Sequence, residues 1–163
     1  MKRLLIVFHS MTGGAHQMAD AVLRGAESEA GVQSRLVRAS EATAKDVLEA
    51  DGYVFVTPEN LAAMSGIMKD FFDRTYYAAL DRVAGRPYAT LVCAGSDGRS
   101  AVRQIERICT GWRLKEIREP IIICTHAQTP EAILAPKTIG KEDLYQCEET
   151  GTAIAAGLAL GVF

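Results

Sequence analysis

The sequence lacks features that would mark several large classes of protein. Its 163 residues carry a formal net charge of −2, so no basic field for nucleic acid or for an anionic membrane surface is predicted. No run of about 18 apolar residues occurs, so no transmembrane helix is expected. The stretch "MKRLLIVFHSM" has the basic start and the apolar run of a signal peptide, but that run is too short and ends in a polar glycine turn.

Cysteine is scarce and scattered, which limits the metal and redox chemistry that is expected. None of the four cysteines forms a CxxC pair, and none lies with histidine at the spacing of metal ligands. We therefore expect reduced, mostly buried thiols, no metal site and a cytoplasmic location. The cysteines are Cys93, Cys109, Cys124 and Cys147.

Apolar residues are abundant, and their pattern predicts a single α/β domain over residues 1–163. Hydrophobic residues make up 48% of the chain, enough for a sizeable core. Nearly continuous apolar runs predict strands that are covered on both faces, as in a parallel sheet, and helical patterns separate them. Right-handed crossovers then give a three-layer α/β/α sandwich. The predicted strands are residues 3–9, 31–39, 51–57, 87–95 and 119–127, and the predicted helices are 14–30, 43–50, 65–80, 99–111 and 142–160.

Several local features of the helices can be predicted as well. Thr43 and Ser65 have the position and chemistry of N-caps. Asp73 and Arg74 are expected to form an ion pair, and the small residues of "TGTAIAAGLALG" in the last helix are expected to pack closely on the sheet. The predicted apolar face of the third helix consists of Ile67, Met68, Phe71 and Phe72.

The polar turns after the strands are the places where a ligand site is expected. In open α/β sheets, ligands bind beyond the carboxyl ends of the strands. Three such loops, residues 10–14, 57–66 and 94–99, are rich in glycine, hydroxyl and amide groups. A long irregular stretch, residues 127–142, follows the fifth strand, and loops of that length are often functional.

The first of these loops has the composition of a phosphate cradle. Gly13 and Gly14 allow a tight turn and a close approach to a ligand, and the N–H groups that open the next helix lack intrahelical partners. Ser10 and Thr12 add hydroxyl donors. Because no Lys or Arg lies between residues 4 and 23, this cradle would act through dipoles. The loop matches neither GxxxxGK[ST] nor GxGxxG, and a plain strand-to-helix turn is the alternative interpretation.

Two segments together resemble the flavodoxin-like superfamily. They are "HSMTGGAHQMADAVLRGA", residues 9–26, and "VTPENLAAMSGIMKDFFDRT", residues 56–75. The closer resemblance is to the branch of NAD(P)H-dependent FMN reductases and quinone oxidoreductases of the tryptophan-repressor-binding type. It implies a five-stranded parallel sheet of order 2-1-3-4-5 and noncovalently bound FMN. It also implies an enzyme that takes electrons from NAD(P)H and passes them to a quinone or another small acceptor. A homo-oligomer, by default a closed dimer, is the expected assembly.

The resemblance also implies which residues hold the cofactor. It assigns no catalytic side chain, because the cofactor carries the chemistry. The ribityl phosphate would contact Ser10, Met11, Thr12, Gly13, Gly14, Ala15 and His16. The isoalloxazine would lie along Pro58, Glu59, Asn60, Leu61 and Ala62, and its pyrimidine end would be covered by Ala94, Gly95, Ser96, Asp97 and Gly98.

Two departures from the family pattern bear on function. Flavodoxin phosphate loops usually end in Thr or Asn, whereas this loop has Ala15 and His16, so either His16 replaces the missing hydroxyl or FMN binds weakly and exchanges. No aromatic residue occurs at 57–70 or 89–111, which leaves the flavin face open for hydride transfer and favours a reductase. The alternatives are a flavodoxin-type electron carrier and a flavin-free binding or regulatory domain on the same fold.

Charged and imidazole side chains near the loops have two interpretations each. Arg99, Lys137 and Lys141 either attract the phosphate of NADPH or belong to the solvated surface, which is the default. His9 ends the first strand and is expected to be packed and hydrogen-bonded rather than catalytic. His126 ends the fifth strand at the edge of the site, where it either lines the substrate cavity or, as the default, is packed in the same way.

Overall fold

The computed structural model describes all 163 residues, in seven strands and six helices. The strands are β1 (Lys2–Phe8), β2 (Val32–Arg38), β3 (Gly52–Asn60), β4 (Ala63–Met64), β5 (Pro87–Ala94), β6 (Lys115–Glu116) and β7 (Ile121–Cys124). The helices are α1 (Gly14–Ala26), α2 (Ala44–Glu49), α3 (Gly66–Ala79), α4 (Arg99–Gly111), α5 (Pro130–Leu134) and α6 (Lys141–Leu160).

A parallel sheet of order β2-β1-β3-β5 forms the centre, and β6 and β7 share the outer edge of β5. β6 pairs with the start of β5, and β7 pairs with its second half. The fifth strand, predicted over residues 119–127, is shorter at both ends: it ends at Cys124 and begins at Ile121, after Pro120, which has no N–H to donate to a ladder. The predicted order is confirmed for the five main strands, but the two-residue strands β4 and β6 are additions to it.

Both faces of the sheet are covered, because successive residues of a strand point to opposite sides. In β1, Leu4, Ile6 and Phe8 belong to the core cluster that contains α1 and α6. Leu5 and Val7 belong to the cluster that contains α2, α3 and α4. Each of the five is at most 3% exposed. The three-layer sandwich predicted from the continuous apolar runs is confirmed.

Local capping signals predicted two helix starts correctly. Thr43 forms a capping box at α2: its hydroxyl accepts from the Asp46 N–H (3.3 Å), and the Asp46 carboxylate accepts from the Thr43 N–H (2.8 Å). Ser65 caps α3, because its hydroxyl accepts from the Met68 N–H at 3.1 Å. Helix α4 has the predicted bounds.

The helical segments need two corrections. Helix α1 ends at Ala26 rather than at residue 30, and a turn at Glu27 and Ser28 follows it. The stretch 127–142 is not irregular throughout, because it contains the short helix α5 with Thr129 as its N-cap.

The exposed side of α3 also differs from the prediction. Ile67 is 41% exposed and does not extend the buried apolar face. Asp73 and Arg74 do not pair with each other: Lys69 Nζ lies 2.6 Å from Asp73 Oδ1, and Arg74 Nε lies 2.7 Å from Asp70 Oδ2. Residues four apart share a helix face, whereas adjacent residues point in different directions.

Helices α1 and α6 pack closely through glycine. A Cβ on Gly25 would collide with the carbonyl oxygen of Glu148, and a Cβ on Gly151 would collide with the carbonyl oxygen of Val22. The small residues of α6 therefore allow its backbone to approach α1. The prediction named the sheet as the partner of these residues and missed the helix.

The cysteines are as predicted, since all four thiols are free, three are buried and Cys124 is partly exposed. No helix combines the length and the apolar character needed to cross a membrane. No group of three or more His, Cys, Asp or Glu side chains is placed to hold a metal ion.

Candidate functional site

The first loop of the site joins β1 to α1 at the carboxyl edge of the sheet. Gly13 is the N-cap of α1 with φ 96°, and its N–H donates to Ser10 Oγ at 3.0 Å. The first turn of α1 contains no acidic residue, and its leading N–H groups, from Gly14 onward, have no carbonyl partner within the helix. These groups and the positive end of the helix dipole form a site for an anion.

The second loop, predicted as a polar loop after a strand that ends at residue 57, is a β-hairpin. Strand β3 continues to Asn60 and pairs there with β4 in antiparallel fashion. The two turn residues, Leu61 and Ala62, have φ of 50° and 60°, the positive values that tight two-residue hairpin turns favour. Neither is glycine, so the tip is strained, as backbone at functional sites often is.

Buried hydroxyls hold the base of this hairpin. The Thr57 and Ser65 hydroxyl oxygens lie 3.2 Å apart, and the Ser65 N–H donates to Thr57 Oγ1 at 3.2 Å. On the outer strand, the Met64 N–H donates to Gln104 Oε1 of α4 at 2.9 Å. The hairpin is therefore fixed at both strands while its tip projects into solvent.

The third loop joins β5 to α4 and packs against the segment that follows β7. The Thr125 N–H donates to the Ala94 carbonyl (2.9 Å), and the His126 N–H donates to the Gly95 carbonyl (2.8 Å). Gly98, the N-cap of α4, has φ 86°, and a Cβ there would lie 2.6 Å from Ile122 Cγ2. Glycine suits this position, because it adopts the positive φ without strain and leaves the Ile122 side chain in place.

A fourth segment reaches the first loop from the far end of the chain. The Lys137 N–H donates to the Thr12 carbonyl at 2.9 Å. The Gln17 amide of α1 donates to the Lys137 carbonyl (2.7 Å) and accepts from the Ile139 N–H (3.0 Å), as a strand partner would. The buried Ile139 side chain anchors the segment in the core. The phosphate-type loop is thus covered by residues more than a hundred positions away.

These four segments enclose a cavity of about 400 Å³ lined by 17 residues. Its size lies within the range of roughly 300–1,000 Å³ for small-molecule sites. From the first loop and the hairpin it is lined by Ser10, Met11, Thr12, Gly14, Ala15, Pro58, Glu59, Asn60 and Leu61. The remaining lining comes from Cys93, Ala94, Gly95, Ser96, Thr125, Ala127, Ile133 and Lys137.

Most of the residues that the sequence proposed for the cofactor meet at this cavity, and five lie outside its lining. The backbone of Gly13 and Gly98 shapes the loops without lining the cavity, and Ala62 sits at the hairpin turn. The Asp97 carboxylate accepts from Arg99 Nε at 2.6 Å on the surface. The fifth residue is His16.

The His16 side chain contacts Phe8 and Asp20 and does not line the cavity. Its ring stacks on Phe8 with centroids 4.7 Å apart, and its Nε2 lies 3.6 Å from Asp20 Oδ2. His9 and His126 do not line the cavity either. His9 is half-buried, but the prediction that His126 is packed is wrong, because its side chain is exposed. Burial and the nearby Arg38 guanidinium lower the pKa of His9, which keeps its imidazole neutral at pH 7.

Five of the lining residues are not among those that the resemblance assigns to the cofactor. Thr125 and Ala127 follow the fifth main strand. Because ligands bind beyond the carboxyl ends of the strands, these two residues could have been included in the predicted site. Cys93 lies one residue before the third loop, and burial raises the pKa of its thiol to about 11, so the thiol stays protonated at neutral pH. Ile133 and Lys137 belong to the long stretch 127–142, whose path is not visible in local patterns.

Comparisons with known proteins agree with this architecture. Residues 19–129 match the family described as NADPH-dependent FMN reductase. A flavodoxin of Aquifex aeolicus (strain VF5) is 41% identical over 73 residues, which cover 45% of this chain and 40% of that protein. An NAD(P)H dehydrogenase (quinone) of Acidithiobacillus ferrooxidans is 34% identical over 95 residues, covering 46% of this chain and 48% of that protein. The matched part is thus less than half the length of each relative.

Solved structures show the same fold at low sequence identity. A flavodoxin from the domain Archaea superposes with a TM-score of 0.77 at 18% identity, covering 96% of this chain and 98% of that one. A flavodoxin, WrbA-like protein of Agrobacterium tumefaciens gives a TM-score of 0.68 at 17% identity, covering 99% of both chains. These likenesses confirm the flavodoxin-like fold. Because the family match covers more than half of the sequence, the chain belongs to the NADPH-dependent FMN reductase family.

Proposed function

We propose that this chain holds FMN noncovalently in the cavity and acts as an oxidoreductase that passes electrons from NAD(P)H to a quinone or another small acceptor. The proposal is based on one observation: a single cavity has an anion site at one end and an apolar rim without aromatic rings. The relatives named NAD(P)H dehydrogenase (quinone) support the choice of reductant and acceptor.

The anion site suits the phosphate of FMN. The open N–H groups at the start of α1 and the hydroxyls of Ser10 and Thr12 face one end of the cavity. No carboxylate occurs in the first turn of α1, so nothing there repels a phosphate. Glu59, the one acidic residue of the lining, lies on the hairpin instead.

The rim suits a flat apolar ring. Three large apolar side chains at the cavity are substantially exposed: Met11 (56%), Leu61 (101%) and Ile133 (45%). Exposed apolar groups around a cavity favour an apolar ligand, because covering each square ångström contributes about 25 cal/mol. No Phe, Tyr or Trp lines the cavity, so no aromatic side chain would compete with a nicotinamide or quinone ring for the flavin face.

The roles of the chain in this reaction are binding and orientation. Bound FMN supplies the hydride and electron chemistry. The rigid hairpin, held by Thr57 and Ser65, would support the ring, and the backbone of β3 from Pro58 to Asn60 would offer it hydrogen bonds. No residue of the lining is proposed as an acid or base.

Anaerobic reduction of the loaded protein tests this function. The protein is incubated with FMN, freed of unbound flavin, and mixed with NADPH and separately with NADH while the flavin absorbance is followed. We expect rapid loss of the absorbance in a two-electron step with one of the nucleotides, and its recovery when benzoquinone is added. Free FMN at the same concentration is the control, because nucleotides reduce it slowly without a protein.

Other outcomes separate the alternatives. Bound FMN that neither nucleotide reduces would contradict a reductase and would favour an electron carrier of the flavodoxin type, which the similarity to the Aquifex aeolicus flavodoxin supports. Loss of all FMN during desalting, together with no binding at micromolar concentration, would favour a flavin-free domain.

The dimer and the cytoplasmic location remain proposals from sequence, and size-exclusion chromatography with light scattering tests the first.

A further inference from the structure

The ammonium group of Lys137 is held at the phosphate end of the cavity by the fold itself. Its backbone is fixed on both sides, because its N–H and its carbonyl bond to Thr12 and Gln17 respectively. Its Nζ donates to the carbonyls of Ala135 (2.6 Å) and Ile133 (2.9 Å), the last carbonyls around helix α5. The side chain is therefore positioned before any ligand arrives.

One N–H donor of the Lys137 ammonium group is directed at Thr12 in the first loop. An ammonium group has three donors, and the two carbonyls of the α5 region use two of them. The third contact, to Thr12 Oγ1, is 3.4 Å long and therefore weak. Thr12 belongs to the loop whose N–H groups form the anion site, so an oxygen bound there would compete with Thr12 for this donor.

The charges of the cavity are arranged so that one end is positive and the other negative. Lys137 is the only Lys or Arg in the lining, and Glu59 is the only Asp or Glu. Lys137 forms no ion pair with a carboxylate of the chain, so its charge is not neutralised. Lys137 contacts the phosphate-type loop, and Glu59 lies on the hairpin.

We propose that Lys137 binds the 5′-phosphate of FMN and supplies the full positive charge that the loop at residues 10–16 lacks. This inference rests on the proposed FMN function and deepens it. It replaces the two roles expected for Lys137 from the sequence, which were a contact to the NADPH phosphate or solvated surface. Lys137 also supplies the donor that is missing at Ala15, where a hydroxyl residue is usual in flavodoxins.

The charge should make the site select FMN over riboflavin. The phosphate carries a charge of about −1.5 to −2 at pH 7, and charge-assisted hydrogen bonds are about twice as strong as neutral ones. A contact of this kind corresponds to roughly a tenfold to hundredfold change in affinity. Riboflavin has the same ring and ribityl chain but no phosphate, so its affinity should not depend on Lys137.

Flavin affinities of matched variants test the proposal. Dissociation constants for FMN and riboflavin are measured by quenching of flavin fluorescence for the wild type, Lys137→Met, Lys137→Arg and Lys141→Met. Methionine keeps the apolar stem without the charge, and arginine keeps the charge. Lys141 is the control, because it is exposed at the start of α6 and does not line the cavity.

We expect Lys137→Met to weaken FMN binding by about tenfold to hundredfold and riboflavin binding by less than about twofold. Lys137→Arg should restore most of the FMN affinity, and Lys141→Met should match the wild type. Raising the salt concentration should weaken FMN binding in the wild type and have little effect in Lys137→Met.

Three results would overturn the proposal. Equal losses for FMN and riboflavin would mean that Lys137 only supports packing of residues 130–140. Unchanged FMN affinity in Lys137→Met would mean that the helix N–H groups bind the phosphate alone, while the proposed FMN function would stand. A wild type that binds neither flavin would overturn both proposals together.

Discussion

Replacing Gly151 by alanine should destabilise the protein, although helix propensity alone predicts the opposite. Gly151 lies within α6, and in an unconstrained helix interior alanine is more stable than glycine by about 0.5–1 kcal/mol. Here a Cβ would collide with the Val22 carbonyl oxygen and lie 2.8 Å from its carbon and 2.9 Å from the Ala26 nitrogen. All three are backbone atoms of α1, and none can rotate away as a side chain could.

The cost can be estimated from that geometry. Overpacking of a core typically costs about 1–3 kcal/mol, and relief here requires two helices to move apart along their whole contact. We place Gly151→Ala at the upper end, about 3 kcal/mol, and subtract the gain in propensity, which leaves a loss of about 2–2.5 kcal/mol. For a chain of this size, each kcal/mol shifts the melting temperature by about 2–4 °C, so the expected decrease is about 4–10 °C.

Urea unfolding followed by tryptophan fluorescence measures the change directly. Trp112 is the only tryptophan and is completely buried, so it reports the loss of the core. The proteins are compared without FMN, because a bound ligand adds stability of its own. Gly66→Ala is the matched control: Gly66 begins α3, and a Cβ there would have no atom within 4 Å, so its stability should be unchanged or slightly higher.

The prediction that the contact between α1 and α6 is too close for a Cβ at Gly151 would be contradicted if the two variants had the same stability. Equal stability of Gly151→Ala and Gly66→Ala would show that the helices can separate freely, and the close approach of Gly25 and Gly151 would then have no energetic role.

Two smaller predictions concern the edge of the cavity. Ala62→Gly should raise the free energy of unfolding by about 0.5–1 kcal/mol, because glycine adopts φ near 60° without strain; a decrease in the urea midpoint would show that the turn is not strained. At pH 8 the Cys93 thiolate should be about a hundredfold scarcer than that of a thiol of ordinary pKa near 9, since burial raises its pKa to about 11. Mass spectrometry after treatment with iodoacetamide should therefore find Cys124, the most exposed thiol, modified before Cys93, and the reverse order would contradict the burial of Cys93.

The sequence predicted much of the fold because each local pattern reports the surroundings of its own residues. The run from Leu4 to Phe8 is apolar at every position because both faces of β1 are buried. Thr43 and Ser65 cap helices through bonds to backbone N–H groups only three residues away. The loops at the carboxyl edge of the sheet could also be predicted, because their glycine and hydroxyl residues are adjacent in the sequence.

The features that were missed either lack the usual local signal or depend on distances between remote parts of the chain. The hairpin at Leu61 and Ala62 lacks the glycine or asparagine that usually signals such a turn, so only the pairing of β3 with β4 revealed it. The outer edge of β5 is divided between β6 and β7, and that division depends on where the chain returns after α4.

By itself, the sequence determined the three layers and the loops that form the cavity, because alternation, capping and turn chemistry act over a few residues; the order of the main strands came only from the resemblance to the flavodoxin-like superfamily. Only the tertiary structure decided that Gly25 and Gly151 bring two helices together, and that Gln17 and Thr12 hold Lys137 at the phosphate end of the site. These contacts join residues more than a hundred positions apart, and no local pattern records which distant groups the folded chain places side by side.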